Sequence, residues 1–316
     1  MAQSAPQDTD SSSLPVIDMS SPNREETARK LIKAMETVGF AYLDNVQGYN
    51  KEVEAELLKA SQRFFSFPLE EKLQYSPKIW NKKGKGNLYR GYCPINVAHN
   101  SLLEFFYVGE PVPENEKVVD PLHEGTPMPT HDTAFCKVVN SHYSCMFDTA
   151  MEVLRLTALG LGFKEDVFDD RFQPKSLSNV KLLHYPPLDE SASQPSFRTD
   201  DHTDASFVTL LVTFEYKGLE YYSSTDGTWL KVAPRPGSVI MNIGELLSQV
   251  SNGRILATRH RVRDTIEKDR ISVPFFLEAH ANAKFEIPGS SEPLIYGPWM
   301  RKMLGRSFVF QQLKDV

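Results

Sequence analysis

Residues 202–214 read His-Thr-Asp-Ala-Ser-Phe-Val-Thr-Leu-Leu-Val-Thr-Phe, a polar triplet followed by apolar and β-branched residues. The run 207–214 has the composition of a β-strand, and the triplet lies at the predicted start of that strand. In an extended chain, side chains two residues apart point to the same side. His202 and Asp204 are therefore predicted to converge, offering one nitrogen and one carboxylate oxygen. Alone the triplet is weak evidence, because it also occurs in ordinary surface turns.

A second histidine, His260, precedes another β-rich segment. Together, His202, Asp204 and His260 can form a facial triad of two histidines and one carboxylate. Such a triad occupies one face of an octahedral metal and leaves three positions open, which is typical of non-haem Fe(II) oxygenases. Zinc usually takes a closed tetrahedral site or keeps a single open position. The three residues therefore favour iron and oxygen chemistry.

The triplet Arg270-Ile271-Ser272 follows His260. Arg270 and Ser272 share one face of a predicted strand. A guanidinium binds a carboxylate through two parallel hydrogen bonds, and a hydroxyl adds one more donor. The pair can hold the distal carboxylate of a 2-oxo acid whose other end binds the metal. An ordinary salt bridge of Arg270 and a strand serine are the alternative interpretation.

The second half of the chain reads as short strands separated by turn signals such as Asp226-Gly227 and Pro236-Gly237. Many short strands at this spacing predict a sandwich, a jelly roll or a barrel. The predicted strands are Val180–Tyr185, Phe207–Phe214, Leu219–Tyr222, Trp229–Val232, Ser238–Ile243 and Ile271–Leu277.

The first half of the chain is predicted to be mostly helical. Apolar residues at helical spacing predict helices over 24–38, 50–66 and 132–162, and Pro68 opens a further short helix. Strands are predicted at 14–18, 40–43 and 104–108, with the remainder of 76–130 irregular. Residues 1–13 read as a disordered tail. We expect one domain over 14–316, with a mostly helical part at 14–175 packed on a β core at 176–316.

Composition excludes several classes of protein. The chain has 316 residues, 41% hydrophobic and 24% charged, which is ordinary for a globular protein. A net charge of −6 does not favour nucleic acid or anionic lipid as a partner. Three cysteines are too few for a disulfide framework, and residues 1–20 lack the features of a signal peptide. We expect a cytoplasmic protein with a small-molecule substrate, and its oligomeric state, monomer or homodimer, stays open.

The ordered set of motifs resembles the Fe(II)/2-oxoglutarate-dependent dioxygenases. The branch it is most similar to contains isopenicillin N synthase and plant and fungal small-molecule oxygenases. Beyond HxD, the second His and RxS, the similar segments cover nearly the whole chain. They are Leu14–Asp18 with Val38-Gly39-Phe40, Arg90-Gly91-Tyr92, Glu104-Phe105-Phe106, Leu183-His184-Tyr185-Pro186, the stretch from Pro236-Gly237 to Asn242-Ile243-Gly244-Glu245, and Ser251-Asn252-Gly253-Arg254.

This resemblance implies a distorted double-stranded β-helix, or jelly roll, with flanking helices. It implies Fe(II) on His202, Asp204 and His260. It also implies 2-oxoglutarate on a second set of residues, namely Arg270, Ser272 and Tyr185. The implied reaction uses O2 and 2-oxoglutarate to oxidise a C–H bond of a small metabolite, by hydroxylation, desaturation, cyclisation or ring rearrangement. A role in specialised metabolism is the corresponding expectation.

Substrate contacts are expected from residues near the open metal positions. Phe207 and Phe276 are candidates, with plain barrel packing as their alternative. Arg198, Arg90 and the lysines at 82, 83 and 85 are candidates for recognising a substrate carboxylate. Leu183 stands where many plant members have Asn, so one polar contact near the co-substrate is absent.

Two other functions remain open from the sequence. One is an oxidase like isopenicillin N synthase, which has the metal triad but consumes no 2-oxo acid. The other is an inactive barrel that binds a small ligand or another protein. Succinate formation coupled to product separates the first from a 2-oxoglutarate-dependent enzyme.

Overall fold

The computed structural model describes residues 14–81, 87–96, 103–112, 121–187, 197–263 and 269–305. The predicted tail at 1–13 lies outside these residues. The helices are α1 (Arg24–Thr37), α2 (Lys51–Phe65), α3 (Leu69–Leu73), α4 (Thr133–Gly160), α5 (Glu245–Val250) and α6 (Tyr296–Leu304). The strands are β1 (Val16–Asp18), β2 (Phe40–Asp44), β3 (Gly91–Cys93), β4 (Glu104–Gly109), β5 (Asn179–Tyr185), β6 (Phe197–His202), β7 (Val208–Val212), β8 (Leu219–Ser223), β9 (Thr228–Lys231), β10 (Val239–Ile243), β11 (His260–Arg263), β12 (Arg270–Leu277), β13 (Lys284–Phe285) and β14 (Leu294–Ile295).

Two sheets make the body of the fold. The larger has eight strands in the order β1-β2-β10-β7-β12-β5-β4-β3, and the smaller has four in the order β6-β11-β8-β9. The predicted fold class, mainly β with flanking helices, is confirmed. The large sheet nevertheless takes four strands, β1 to β4, from the first half of the chain. The β core is therefore not built from the second half alone.

The helices form where apolar periodicity and capping residues agree. Asn23 caps α1 by accepting a hydrogen bond from the Glu26 amide at 3.1 Å, and Asp132 caps α4 through the Phe135 amide at 3.0 Å. The buried face of α4 belongs to the main hydrophobic core with α1 and α2. The long predicted helices are thereby confirmed. Across the described residues, no helix has both the length and the apolar character needed to cross a membrane.

Gly39 forms the turn between α1 and β2, close to the segment that precedes β11. Gly39 follows α1 with φ of 73°, the left-handed conformation that glycine adopts without strain. A Cβ atom there would lie 2.6 Å from the Leu256 carbonyl oxygen and would also meet the Thr258 side chain. Thr258 itself donates to the Val38 carbonyl at 2.6 Å. The segment that leads into β11 is therefore fixed against the end of α1.

Strand register places the chemistry-bearing residues. Between β12 and β5, Arg270 faces Tyr185 and Ser272 faces Leu183. Further along β12, Phe276 faces Thr209 of β7, and Thr209 in turn faces Asn242 of β10. In the small sheet, His260 of β11 is the direct cross-strand neighbour of His202 of β6. The pairing thus brings together residues far apart in sequence.

Candidate metal centre

Three predicted ligands meet at one end of the space between the sheets. The ligand atoms of His202, Asp204 and His260 lie within 4.8 Å of one another. Asp204 Oδ1 is 3.8 Å from His202 Nε2 and 3.7 Å from His260 Nε2. Within the described ranges, this is the one group of His, Cys, Asp and Glu side chains with the spacing of a metal site.

The route by which His202 and Asp204 converge differs from the prediction. His202 is the last residue of β6, and Asp204 lies in the connection that precedes β7. The triplet therefore does not begin a strand, and the two side chains do not share a strand face. They converge because the chain passes from the small sheet to the large one at this point.

Backbone carbonyls orient both imidazoles. His202 Nδ1 lies 2.7 Å from the Asp200 carbonyl oxygen, and His260 Nδ1 lies 3.1 Å from the Thr258 carbonyl oxygen. A carbonyl accepts only, so Nδ1 carries the hydrogen and donates it. This tautomer leaves the lone pair of each Nε2 free to bind a metal, as is typical of metal-binding histidines.

Asp204 is held by two side chains of the large sheet. Its Oδ2 accepts from the Thr209 hydroxyl at 2.7 Å and from the Asn242 amide nitrogen at 2.7 Å. Its other oxygen, Oδ1, faces the two histidines. One carboxylate oxygen is thus fixed by the protein, and the other remains available for a metal.

The electrostatics suit an ionised Asp204 carboxylate beside a neutral His260 imidazole. Burial raises the pKa of Asp204, but His260, His202, Thr209 and Asn242 lower it more, so the net shift is downward. Burial lowers the pKa of His260, although Asp204 opposes that shift. A neutral imidazole and an ionised carboxylate are the forms that coordinate a cation.

The predicted co-substrate residues are also brought together. Arg270 is buried, and its Nη1 donates to Ser272 Oγ at 3.1 Å. Its Nε donates to the Lys217 carbonyl at 3.3 Å. The guanidinium carbon lies 4.8 Å from the centre of the Tyr185 ring. These contacts hold the guanidinium and the hydroxyl side by side, an arrangement that can bind a carboxylate.

One cavity of about 160 Å³ joins the two groups, with Arg270, Ser272 and Tyr185 lining it alongside the metal trio. A larger cavity of about 690 Å³ lies beside α4. Two arginines line it, but their charges are already used: Arg24 pairs with Glu165 at 2.5 Å, and Arg155 pairs with Asp169 at 2.6 Å. The larger cavity is therefore not the candidate site, although it has the greater volume. The smaller cavity holds the convergent polar groups.

The two phenylalanines predicted to contact substrate lie in different places. Phe276 lines the cavity, as expected. Phe207 does not line it, because its ring packs at 5.0 Å from Phe172 and 4.8 Å from Phe285 in the core. The packing alternative is the one the structure shows for Phe207.

The expectation for Arg90 is corrected by the structure. Arg90 is fully buried, and its guanidinium donates to the Glu124 carbonyl at 2.6 Å and to the Tyr89 hydroxyl at 3.1 Å. It does not line the cavity of the metal trio, because these contacts hold it against the far strands of the large sheet. The side chain of Arg198, and residues 82–86 with their three lysines, lie outside what the structure describes.

Sequence reasoning missed three residues of the site. Thr209 and Asn242 hold Asp204, and Lys181 lines the cavity. Asn242 stood inside a quoted motif, Asn-Ile-Gly-Glu, and that motif was the only available signal. Thr209 and Lys181 lie in apolar strands, where sequence alone does not tell a cavity-facing residue from a core residue.

Two family models match the chain. The model of the 2OG-Fe(II) oxygenase superfamily matches residues 177–279. The model of the N-terminal region of non-haem dioxygenases in morphine synthesis matches residues 14–131. Together they span most of the chain, on either side of α4.

Several known proteins are similar along most of their length. The 2-oxoglutarate-Fe(II) type oxidoreductase hxnY of Emericella nidulans is 28% identical over 238 residues, covering 73% of this chain and 68% of that protein. The 2-oxoglutarate-dependent dioxygenase tropC of Talaromyces stipitatus is 29% identical over 294 residues, covering 86% and 88%. Gibberellin 2-beta-dioxygenase 4 of Arabidopsis thaliana is 28% identical over 283 residues, covering 86% and 81%.

Solved structures agree on the fold. A putative 2OG-Fe(II) oxygenase family protein from Caulobacter crescentus superposes with a TM-score of 0.81 at 26% identity, covering 94% of this chain and 99% of that one. A full-length Neurospora crassa protein, solved in complex with alpha-KG, superposes with a TM-score of 0.77 at 25% identity, covering 92% and 96%. The predicted double-stranded β-helix is confirmed by these neighbours.

The donor set, two oriented imidazoles and one carboxylate oxygen with the remaining directions open, fits a metal centre of the facial-triad class. The chain belongs to the 2OG-Fe(II) oxygenase superfamily and is a 2-oxoglutarate-dependent dioxygenase, an oxidoreductase that uses Fe(II), 2-oxoglutarate and O2.

Proposed function

We propose that His202, Asp204 and His260 hold the Fe(II) of this dioxygenase, and that Arg270, Ser272 and Tyr185 hold the distal carboxylate of 2-oxoglutarate. One observation supports both assignments: a single cavity is lined by the metal trio and by the Arg270–Ser272 pair. A 2-oxo acid has a chelating end and a carboxylate end, and the two groups of side chains match those ends chemically.

When bound, the iron supplies the activation of O2, and the residues of the chain supply position and surroundings. Asp204 is fixed by Thr209 and Asn242, so its free oxygen keeps one direction. The nearest nitrogens to that oxygen are His260 Nε2 at 3.7 Å and His202 Nε2 at 3.8 Å. Because the ring hydrogens are on Nδ1, neither Nε2 donates to the oxygen, which leaves it available to a metal. The burial of Arg270 and Ser272 strengthens their grip on an anion.

The substrate in this proposal is a small organic metabolite, and the reaction oxidises one of its C–H bonds. The cavity is small and has an apolar wall that includes Leu183, Leu211 and Phe276, which suits a compact molecule with a hydrocarbon part. A relative named for an organic small molecule, gibberellin 2-beta-dioxygenase 4, supports a small-molecule substrate. We propose specialised metabolism as the setting, with hydroxylation, desaturation, cyclisation and rearrangement as the possible outcomes.

We also propose that residues 14–316 form one dioxygenase domain. The eight-stranded sheet supports this layout, because strands from the first half of the chain flank on both sides the four strands from the second half. The two family models match on both sides of α4, and α4 belongs to the same hydrophobic core as strands of that sheet.

Anaerobic spectroscopy tests the site assignment without knowledge of the substrate. Fe(II) and 2-oxoglutarate added to the protein should produce the charge-transfer absorbance of the chelate. His260→Ala should abolish it, and Arg270→Ala should shift its 2-oxoglutarate dependence to much higher concentration. His280→Ala is the matched histidine control, since His280 lies outside the metal trio and should leave the spectrum unchanged. Full absorbance in His260→Ala would refute the assignment.

The reaction is tested with a panel of amino acids and aromatic acids under O2. A true substrate should give succinate and an oxidised product in equal amounts, and both should depend on iron. Product formed without consumption of 2-oxoglutarate would refute the proposed coupling and would favour an oxidase of the isopenicillin N synthase type.

A further inference from the structure

A lysine faces the cavity from the strand that carries Tyr185. Lys181, Leu183 and Tyr185 alternate along β5, and all three line the cavity, as expected for residues on one strand face. Tyr185 lies opposite Arg270 and Leu183 lies opposite Ser272. Lys181 comes one step further from Arg270, at about 13 Å along the strand from Tyr185. Lys181 is therefore not one of the residues grouped around the Arg270 guanidinium.

The ammonium group of Lys181 has aromatic neighbours in place of anionic ones. Its Nζ lies 4.1 Å from the centre of the Phe105 ring and 6.0 Å from that of Tyr107. Over the described ranges it has neither a hydrogen bond nor an ion pair. The residue is only partly exposed. Ring faces attract the charge, but they do not satisfy the three N–H donors of an ammonium.

The charges that line the cavity leave Lys181 uncompensated. Among the described lining residues, Lys181, Asp204 and Arg270 carry a full charge when the imidazoles are neutral. With cofactors bound, the two positive charges of Fe(II) match the two negative charges of 2-oxoglutarate, and Asp204 matches Arg270. One positive charge, that of Lys181, has no counterpart. An ammonium with limited access to water is stabilised by an anionic partner, so the complete site favours one more anion.

Lys181 lies toward the metal end of the cavity. The strand register shows this: the preceding residue, Val180, faces Phe275 of β12, and the next residue of β12, Phe276, faces Thr209, which donates to Asp204. The wall near Lys181 includes Leu183, Leu211 and Pro274, which are apolar. An apolar molecule with a single anionic group would satisfy both the wall and the ammonium.

We propose that Lys181 binds a carboxylate of the substrate, and that the substrate is an apolar monocarboxylic acid. This inference deepens the proposed function and rests on it, because it assumes Fe(II) and 2-oxoglutarate in the same cavity. Lys181 is then a specificity-determining residue, since it touches the substrate at a group that does not react.

The test is a binding measurement on the anaerobic Fe(II)–2-oxoglutarate protein. The probes are benzoate, phenylacetate and cyclohexanecarboxylate, each with its primary amide, and bicarbonate alone. Binding is read as a change in the charge-transfer absorbance. Wild type should bind the acids about 10- to 100-fold more tightly than the amides, the value of one charge-assisted hydrogen bond. Lys181→Met should lose that preference, and Lys181→Arg should keep it. Lys137→Met, the same change on the exposed face of α4, should match wild type.

Several results would overturn the inference. They are equal binding of acids and amides by wild type, a preserved preference in Lys181→Met, no response to any acid at millimolar concentration, or a response to bicarbonate alone. A further contradiction would be a loss of 2-oxoglutarate affinity in Lys181→Met as large as the loss for the acids, because Lys181 would then serve the co-substrate. If wild type forms no Fe(II)–2-oxoglutarate absorbance at all, the proposed function fails first, and the two failures are distinguished.

Discussion

Replacing Thr209 with valine should weaken metal binding without altering any proposed ligand. The Thr209 hydroxyl donates to Asp204 Oδ2 at 2.7 Å inside the buried site. A hydrogen bond to a charged group contributes about 1.5 to 3 kcal/mol. Asn242 still donates to the same oxygen at 2.7 Å, so the lower part of that range applies. At about 1.4 kcal/mol per factor of ten, Thr209→Val should raise the metal dissociation constant roughly tenfold.

The assay is calorimetric titration of the metal-free protein with Fe(II) under anaerobic conditions, alongside chemical unfolding of the same samples. Thr157→Val is the matched control, because the Thr157 hydroxyl is equally buried and donates to the Val153 carbonyl at 2.7 Å within α4. Both variants lose one hydroxyl and gain a methyl group, so both should lose stability. Only Thr209→Val should lose metal affinity.

Two outcomes would refute this reasoning. If Thr209→Val binds Fe(II) as wild type does, the hydroxyl does not orient the carboxylate for a metal. If Thr157→Val loses as much affinity as Thr209→Val, the loss comes from general loosening of the fold. The double variant with Asn242→Leu should fall further, toward a hundredfold loss, because Asp204 Oδ2 then has neither donor.

Three further predictions concern the co-substrate and stability. Arg270→Leu should raise the 2-oxoglutarate dissociation constant by about a hundredfold or more, because the ligand keeps a buried carboxylate without its partner; Arg263→Leu on exposed surface is the control, and equal losses would contradict the assignment. His142 is buried with a pKa lowered from 6.5 to about 4. Between those pH values the unfolded state binds a proton that the folded state does not, so wild type should lose about 3 kcal/mol of unfolding free energy relative to His142→Phe as pH falls, and nothing above pH 6.5. Parallel urea curves for the two proteins at pH 7 and pH 4 would contradict this. Lys72→Met removes the ammonium that lies 2.7 Å from Glu104 in a buried pair, while His184 Nδ1 remains 2.8 Å from the same carboxylate, so it should cost about 1.5 to 3 kcal/mol in chemical unfolding; a loss under about 1 kcal/mol would show that the pair is dispensable.

Hydrophobic periodicity was enough to predict those strands and helices whose own composition favours one type of secondary structure. The strand β12 is apolar and β-branched along most of its length, and α4 carries a long apolar stripe. The strands β6 and β11 escaped prediction because their residues are largely polar or charged. Their extended state depends on pairing with each other, where His260 faces His202. No local pattern records that partner.

The proposed ligand set could be predicted from the sequence, because residue types and their order along the chain are enough to indicate it. What the sequence could not predict was the direction in which individual side chains point. Lys181 faces the cavity because β5 pairs with β12 in one register, and a slip of one residue would turn it outward. Arg90 was expected at the substrate for its charge, yet the Tyr89 hydroxyl and the Glu124 carbonyl hold it inside the fold. Both outcomes depend on tertiary neighbours that sequence spacing does not encode.

The proposed placement of these functions along one strand pair would explain why family membership specifies the co-substrate but not the substrate. Arg270, Ser272 and Tyr185 lie at neighbouring register positions of β12 and β5. Lys181 occupies a separate position on the same face of β5, on the side of Thr209 and Asp204. In the proposed assignment, a substitution there would change the charge offered to the substrate and leave the residues proposed for 2-oxoglutarate and for the metal untouched. In this arrangement, substrate choice and O2 chemistry vary independently within a single fold.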